Sequence, residues 1–197
     1  MDALVSDASL RSAPDGSVVR AIADGSQEAV AELYDRYAPM LLGLGRKILG
    51  SAEDAEEILQ EVFVHVWNRA GGYDSGRSSV STWLVLIARS RAIDRLRSRR
   101  VVDRTHTAAH QESPPEHASA EGASRVLHLE RRGRVRDELA RIPEEQRQVL
   151  ELAFYRGLTQ REIAEETGIP LGTVKTRTLL AMKKLRKALR AEIRELL

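Results

Sequence analysis

Apolar residues recur along this chain at three- and four-residue spacing, which predicts helices and gives no sign of a β-rich core. Ala29, Val30, Leu33, Tyr37, Leu41, Leu44 and Ile48 keep the spacing until Gly50, so a helix pair is predicted over Val18 to Leu49, with Pro39 a candidate kink. Ser51 opens the next run, SAEDAEEILQEVFVHVW. Ser51 and Asp54 have capping-box spacing, and Glu53, Asp54, Glu56 and Glu57 sit at the positive end of the helix dipole. Ala55, Ile58, Leu59, Val62, Phe63 and Val66 form its buried stripe. Opposite lie Glu57, Gln60, Glu61 and Val64, an acidic ridge with one apolar member, as fits a solvated face or a docking surface alike. His65 beside Glu61 reads as a surface residue.

RAGGYDSGRSS, from Arg69 to Ser79, is a loop by its glycines and serines, and its Tyr73 and Arg77 are able to stack on a base or hold a phosphate. Ser79 or Ser81 caps the helix that follows, with Trp83, Leu84, Ile87, Ala88, Ile93 and Leu96 inward. Its other side carries Arg89, Arg91, Asp94, Arg95, Arg97, Arg99 and Arg100 without a glutamate. A surface kept merely soluble mixes its signs, so this row favours a phosphate backbone. From Val101 to about Ser124 the apolar period is lost around Pro114-Pro115, which reads as a disordered linker. His106, His110 and His117 fall there without carboxylates or cysteines at ligand spacing and are read as solvated.

Helical pattern resumes with Val126, Leu129, Val135, Leu139 and Ile142. Pro143 opens PEEQRQVLELAFYRG, whose Val149, Leu150, Leu152, Ala153 and Phe154 point to the next motif. That motif, LTQREIAEETGIPLGTVKTR, reads as a helix-turn-helix. Thr159 and Glu162 have capping-box spacing, Gly168 supplies a positive-φ turn, Ile169 plugs the angle between the helices, and Pro170 opens the second one. In the second helix Leu171, Val174, Ala181, Leu185 and Ala188 make the inner stripe, interrupted by Thr178. Thr173, Lys175, Thr176 and Arg177 face out: short hydroxyls and long cations, as base edges and phosphates in a major groove require.

Composition and charge narrow this further. The chain has 197 residues, 4% aromatic and 30% charged, as suits compact helical bundles. The fold class expected is all-α: two small helical domains joined by a flexible linker. The boundaries are a tail over 1–17, a first domain over 18–100, an acidic linker over 101–124 and a second domain over 125–197. With no cysteine there is no disulfide, thiolate metal site or Cys nucleophile, and a reducing cytoplasm is the expected setting. No leader and no membrane-length apolar run is visible. The net charge of +2 hides a segregation. Residues 1–70 carry 6 basic and 12 acidic side chains, residues 71–100 carry 7 and 2, residues 101–130 carry 2 and 5, and residues 131–197 carry 16 and 10. Two basic blocks around an acidic spacer predict two contacts with a polyanion, and the acidic first block predicts a basic partner. No carboxylate or histidine cluster suggests catalysis, a metal, a cofactor or a small-molecule substrate.

The ordered set SAEDAEEILQEVFVHVW, GYDSGRSSVSTWLVLIARSRAIDRLR and RIPEEQRQVLELAFYRGLTQREIAEETGIPLGTVKTR resembles the bacterial extracytoplasmic-function (ECF) sigma factors from about Glu28 to Leu189. The resemblance implies two helical domains, sigma regions 2 and 4, and the RNA polymerase core as partner through its β′ clamp helices and β flap, together with promoter DNA and an anti-sigma factor. It implies that Glu57, Gln60, Glu61 and Val64 bind core polymerase. It implies that the loop Gly72 to Ser79 captures a flipped base of the −10 element, with Tyr73, Asp74, Arg77, Ser90, Arg91, Asp94, Arg95 and Arg97 on that element. Flipping a base costs a few kcal/mol, so a pocket must receive it. Thr173, Lys175, Thr176 and Arg177 would lie in the −35 major groove, Arg177 as base reader. Ser90 replaces a common asparagine, and Thr178 and Leu180 replace a common leucine and arginine. Leu179, Leu180 and Met182 form an apolar patch that is core or is covered by an anti-sigma factor. The rival reading, a dimeric helix-turn-helix regulator with a ligand-sensing N-terminal half, explains residues 131–197 equally but leaves the arginine row at 89–100 unexplained.

Overall fold

The computed structural model describes residues 7–106 and 139–188, and all regular structure among them is helical. The chain divides into two compact units, with the boundary between Ala120 and Glu121. The first contains α1 (Asp7–Ser12), α2 (Asp15–Ala23), α3 (Gln27–Leu49), α4 (Ala52–Arg69), a 3-10 turn over Ala70–Gly72, and α5 (Val80–His106). The second contains α6 (Glu144–Tyr155), α7 (Gln160–Thr167) and α8 (Leu171–Ala188). Most of the expected linker, and the apolar series from Val126 to Val135, lie outside the described residues.

Local chemistry sets the ends of α3 and α4. The Ser26 hydroxyl accepts from the Ala29 N–H at 3.1 Å and starts α3. Gly50, at φ 70°, ends it with its N–H on the Arg46 carbonyl. The helix runs through Pro39 without a break. Ser51 then accepts from the Asp54 N–H at 3.2 Å and starts α4. The predicted stripe of α4 is buried in full: Ala55, Ile58, Leu59, Val62, Phe63 and Val66. It packs on α3, whose Leu33, Tyr37 and Leu41 are buried, and on α5, whose Leu84, Ala88 and Ala92 are buried, each buried Leu, Ile or Val worth about 1.5–3 kcal/mol. At Gly45 the helices approach so closely that an added Cβ would lie 3.0 Å from the Ala55 Cβ, a contact only glycine avoids.

Two boundaries differ from expectation. The stretch assigned to a tail over 1–17 holds α1 and the start of α2, and Leu10 is 3% exposed. Arg36 of α3 is the cause. Its guanidinium donates to the carbonyls of Leu10 (2.6 Å), Arg11 (3.1 Å) and Ala13 (2.9 Å), to Asp15 (2.6 Å) and to Glu32 (2.7 Å). The Tyr37 hydroxyl donates to the other oxygen of Asp15. Burial, then this hydrogen bond to a carboxylate, pushes the Tyr37 phenol far above its ordinary range. A six-residue helix is too short for periodicity to reveal, and it stands because α3 holds its last carbonyls. The second difference is at the linker, because α5 continues to His106, past the expected boundary at 100.

The second unit is built on Val149, Leu158, Ile163 and Val174, with Leu152, Ala153, Ala164 and Ile169 against them. Phe154, expected in this core, is 38% exposed and sits edge-on to Tyr155. No helix among the described residues is long and apolar enough to cross a membrane.

Candidate nucleic-acid and docking interface

The helix-turn-helix forms as its residues dictate. The Glu162 N–H reaches the Thr159 hydroxyl at 3.2 Å while the Glu162 carboxylate accepts from the Thr159 N–H at 2.7 Å, a complete capping box. Gly168 takes φ 70°, and Ile169 packs on the core beneath the turn. In α8, Val174 and Ala181 are buried, which leaves Thr173, Lys175 and Thr176 exposed on the opposite side. The Thr176 hydroxyl donates to the Gly172 carbonyl at 2.9 Å, so its methyl group and oxygen lone pairs face out. Arg177 differs from its expected role. It is half-buried and donates to Glu145 of α6 at 2.7 Å, so it is not presented as a base reader. Leu179, Leu180 and Met182 are 68%, 41% and 45% exposed, which decides against the core alternative for this patch.

In the first unit, Ser79 and not Ser81 caps α5, its hydroxyl accepting from the Thr82 N–H at 3.2 Å. Tyr73 is a strut in the loop before it. Its ring packs on Trp83 with centroids 5.1 Å apart, and its hydroxyl donates to the Ser78 carbonyl at 2.8 Å. Burial, then the nearby charges of Asp15 and Asp74, push this phenol up. Tyr73 is therefore already engaged with Trp83, where the sequence suggested a platform for a base. Asp74 accepts from the Gly76 N–H at 2.9 Å in a tight turn, and Arg77 extends into solvent beside it.

The arginine row of α5 is the larger correction. Arg91 donates to Glu61 at 3.0 Å. Arg95 pairs with Glu57, with Glu61 at 2.9 Å and with Asp54 at 3.5 Å, and Arg99 pairs with Asp54. Half of the row's cations are thus turned onto the acidic ridge of α4, while Ser90, Asp94 and Arg97 stay at the exposed surface. The spacing carried this signal. Arginines at 91, 95 and 99 advance by one helical turn, and acids at 61, 57 and 54 recede along the facing helix by about the same steps.

Asp54, which the capping pattern presented as a helix-end residue, is the buried hub of this lattice at 8% exposure. Burial raises its pKa, but hydrogen bonds with Ser51 and Arg99 and the charges of Arg99 and Arg95 outweigh it and hold it below the ordinary 3.8. A depressed folded-state pKa adds stability above the unfolded value and loses it as pH falls through the folded value. Unfolding by urea should therefore show the first unit weakening below about pH 3.8. Asp54→Asn should flatten that acid limb, and an identical limb in the variant would exclude Asp54 as a source of the pH dependence.

All four predicted docking residues, Glu57, Gln60, Glu61 and Val64, line one groove of about 620 Å³, with His65 and Arg91 on its wall. Val64 is 61% exposed there. His65 is half-buried, with Nδ1 at 3.2 Å from an Arg91 nitrogen. Burial, then the charges of Arg91 and Arg69, holds its pKa below the ordinary 6.5, so the neutral ring accepts from Arg91. Among the described residues no group of three His, Cys, Asp or Glu is placed to hold a metal ion.

Geometry thus defines a helical protein with a DNA-reading motif in one unit and an acid–arginine face in the other. Residues 33–101 match sigma-70 region 2, and residues 139–187 match sigma-70 region 4. The ECF RNA polymerase sigma factor RpoE of Cereibacter sphaeroides is 40% identical over 173 residues, 87% of this chain and 92% of that protein. SigK, an ECF RNA polymerase sigma factor of Mycobacterium sp. strain KMS, is 31% identical over 175 residues, 87% of this chain and 89% of that one. Among solved structures, Rhodobacter sphaeroides SigE in complex with the anti-sigma ChrR is 36% identical, covering 90% of this chain and 98% of that one, with a TM-score of 0.47.

The chain belongs to the ECF RNA polymerase sigma factors, which bind core polymerase and direct it to promoters. Sigma factors act by binding, not by catalysis. With region 2 occupying the N-terminal half, the ligand-sensing regulator has no support.

Proposed function

We propose that the two units divide promoter recognition as follows. α8 reads the −35 element through Thr173, Lys175 and Thr176, with Arg177 contributing through its pairing with Glu145. The α5 surface and the preceding loop read the −10 element through Asp74, Arg77, Ser90, Asp94 and Arg97, with Tyr73 bracing the loop and Arg91 and Arg95 held on α4 in the free protein. α4 docks on the β′ clamp helices of the polymerase through Glu57, Gln60, Glu61 and Val64, and the second unit meets the β flap. An anti-sigma factor covers Leu179, Leu180 and Met182, an apolar cluster on a helix otherwise rich in cations. The protein works without a cofactor or metal and catalyses no reaction itself.

The observation that carries the reading is the outward turn of α8. Thr173, Lys175 and Thr176 are exposed together at the start of the second helix of a helix-turn-helix whose first helix is capped at both ends. Selection of bound promoters with reconstituted holoenzyme tests it. Thr173→Ala should relax base preference at one −35 position, worth about 1–3 kcal/mol, whereas Lys175→Ala should weaken all sequences alike and lower the salt slope by about 1. Arg177→Ala should resemble Glu145→Ala, since the two form one pair. Identical sequence preferences for wild type and the Thr173 and Lys175 variants would remove α8 as the reader.

A further inference from the structure

Asp15, the first residue of α2, gives both carboxylate oxygens to α3: one accepts from Arg36 at 2.6 Å and the other from the Tyr37 hydroxyl. Both α1 and α2 precede the stretch that matches sigma-70 region 2, which begins at residue 33. Their place in the fold is nonetheless beside the −10 loop, because α2 packs on the 3-10 turn Ala70–Gly72 from which the Gly72 to Ser79 loop departs. We propose that Asp15 is a positioning residue for that loop, the anchor through which α3 fixes α2 against the turn, so that an unpaired −10 base meets a loop already in shape. The proposal rests on the reading of Gly72 to Ser79 as the base-capturing loop.

The anchor is sheltered. Tyr37 is buried and the Arg36 side chain is 12% exposed, so water and salt weaken the clasp little. Arg36 also donates to the carbonyls of Leu10, Arg11 and Ala13, and one side chain thereby ties both α1 and α2 to α3. Packed on α3, on α4 and on the turn, α2 buries Val18, Val19 and Ile22. The turn passes the constraint on. Ala70 is buried, its carbonyl accepts from the Tyr73 N–H at 3.0 Å, and Tyr73 spans the loop with its ring on Trp83 and its hydroxyl on the Ser78 carbonyl. The Tyr73 phenol feels the charge of Asp15, so the two ends of this path lie close together. A loop held in one shape before binding loses no affinity to its own ordering, whereas a released loop must be ordered at the moment the base leaves its stack.

The test uses holoenzyme reconstituted from the full chain and polymerase core. Its probes are a promoter fork whose −10 non-template strand is single-stranded, the same fork with an abasic site at the captured position, and a −35 duplex. Tyr37→Phe removes one hydroxyl and keeps the Arg36–Asp15 pair, while Asp15→Asn removes the charge at nearly constant size. Each should lower affinity for the intact fork about tenfold, close to that for the abasic fork, with core affinity, −35 binding and helical content unchanged. Tyr73→Phe, which frees the Ser78 carbonyl at the other end of the path, should cause the same loss. Combining it with Tyr37→Phe should add little, since both release one loop.

Full preference for the intact fork in folded Tyr37→Phe and Asp15→Asn proteins would overturn the proposal. So would equal losses on the intact and abasic forks, which are the signature of a purely structural clasp, or losses strictly additive with that of Tyr73→Phe. Failure of the loop reading looks different: wild type itself would then bind the two forks alike, and the proposal would fall with it.

Discussion

Val64→Arg is expected to lower affinity for polymerase core by about ten- to a hundredfold while leaving helical content unchanged, an effect of about 1.4–2.8 kcal/mol. Val64 is the apolar member of an otherwise polar ridge and is 61% exposed, so the folded monomer gives it little to pack against. A bulky cation at the centre of a docking face must be desolvated against whatever the partner places there, which raises the dissociation rate more than it slows association. The position also isolates docking from the rest of the molecule. Glu61→Lys, the substitution that the acidic ridge first suggests, would set a lysine against Arg91 and Arg95 and so disturb the packing of α5 on α4 as well. Titration of labelled protein with core polymerase, alongside circular dichroism, measures both quantities. Unchanged core affinity would remove the docking assignment of α4.

Ile163→Ala is expected to abolish −35 binding by unfolding the second unit, with the first unit still folded. Ile163 is wholly buried, and among the described residues the small core cluster it belongs to is completed by Val149, Leu158 and Val174. Truncating a buried isoleucine costs about 2–5 kcal/mol through lost transfer energy and the cavity left behind. So small a unit has a stability of the same order. The capping box at Thr159 and Glu162 does not compensate, because a cap contributes about 1 kcal/mol and acts on one end of one helix. Amide exchange resolves the two units: protection should disappear over α6 to α8 and persist over α3 to α5. Retained protection in α7 and α8 would show that the unit is held by contacts other than this core. In that case Ile163→Ala should leave DNA binding within a few-fold of wild type.

The helices, their caps and most of their buried faces were determined by the sequence alone, because each follows from chemistry within a turn or two of the residue concerned. Ser51 and Gly50 set a helix boundary by their own hydrogen-bonding and φ preferences, and Ile58, Leu59, Val62 and Val66 face inward whatever they meet there. The complete helix-turn-helix was legible for the same reason, with its capping box, its left-handed glycine and the exposed Thr173, Lys175 and Thr176. What the tertiary structure decided was the company each polar side chain keeps. Arg91, Arg95 and Arg177 look alike in sequence to cations that meet phosphate, and they differ only because packing brings Glu61, Glu57 and Glu145 within reach. Tyr73 became a strut because Trp83 arrives from the next helix, and α1 became part of the fold because Arg36, more than twenty residues on, captures its carbonyls. An ion pair or a buried hydrogen bond depends on the register between two elements, and periodicity specifies which face a residue occupies without specifying what stands opposite it.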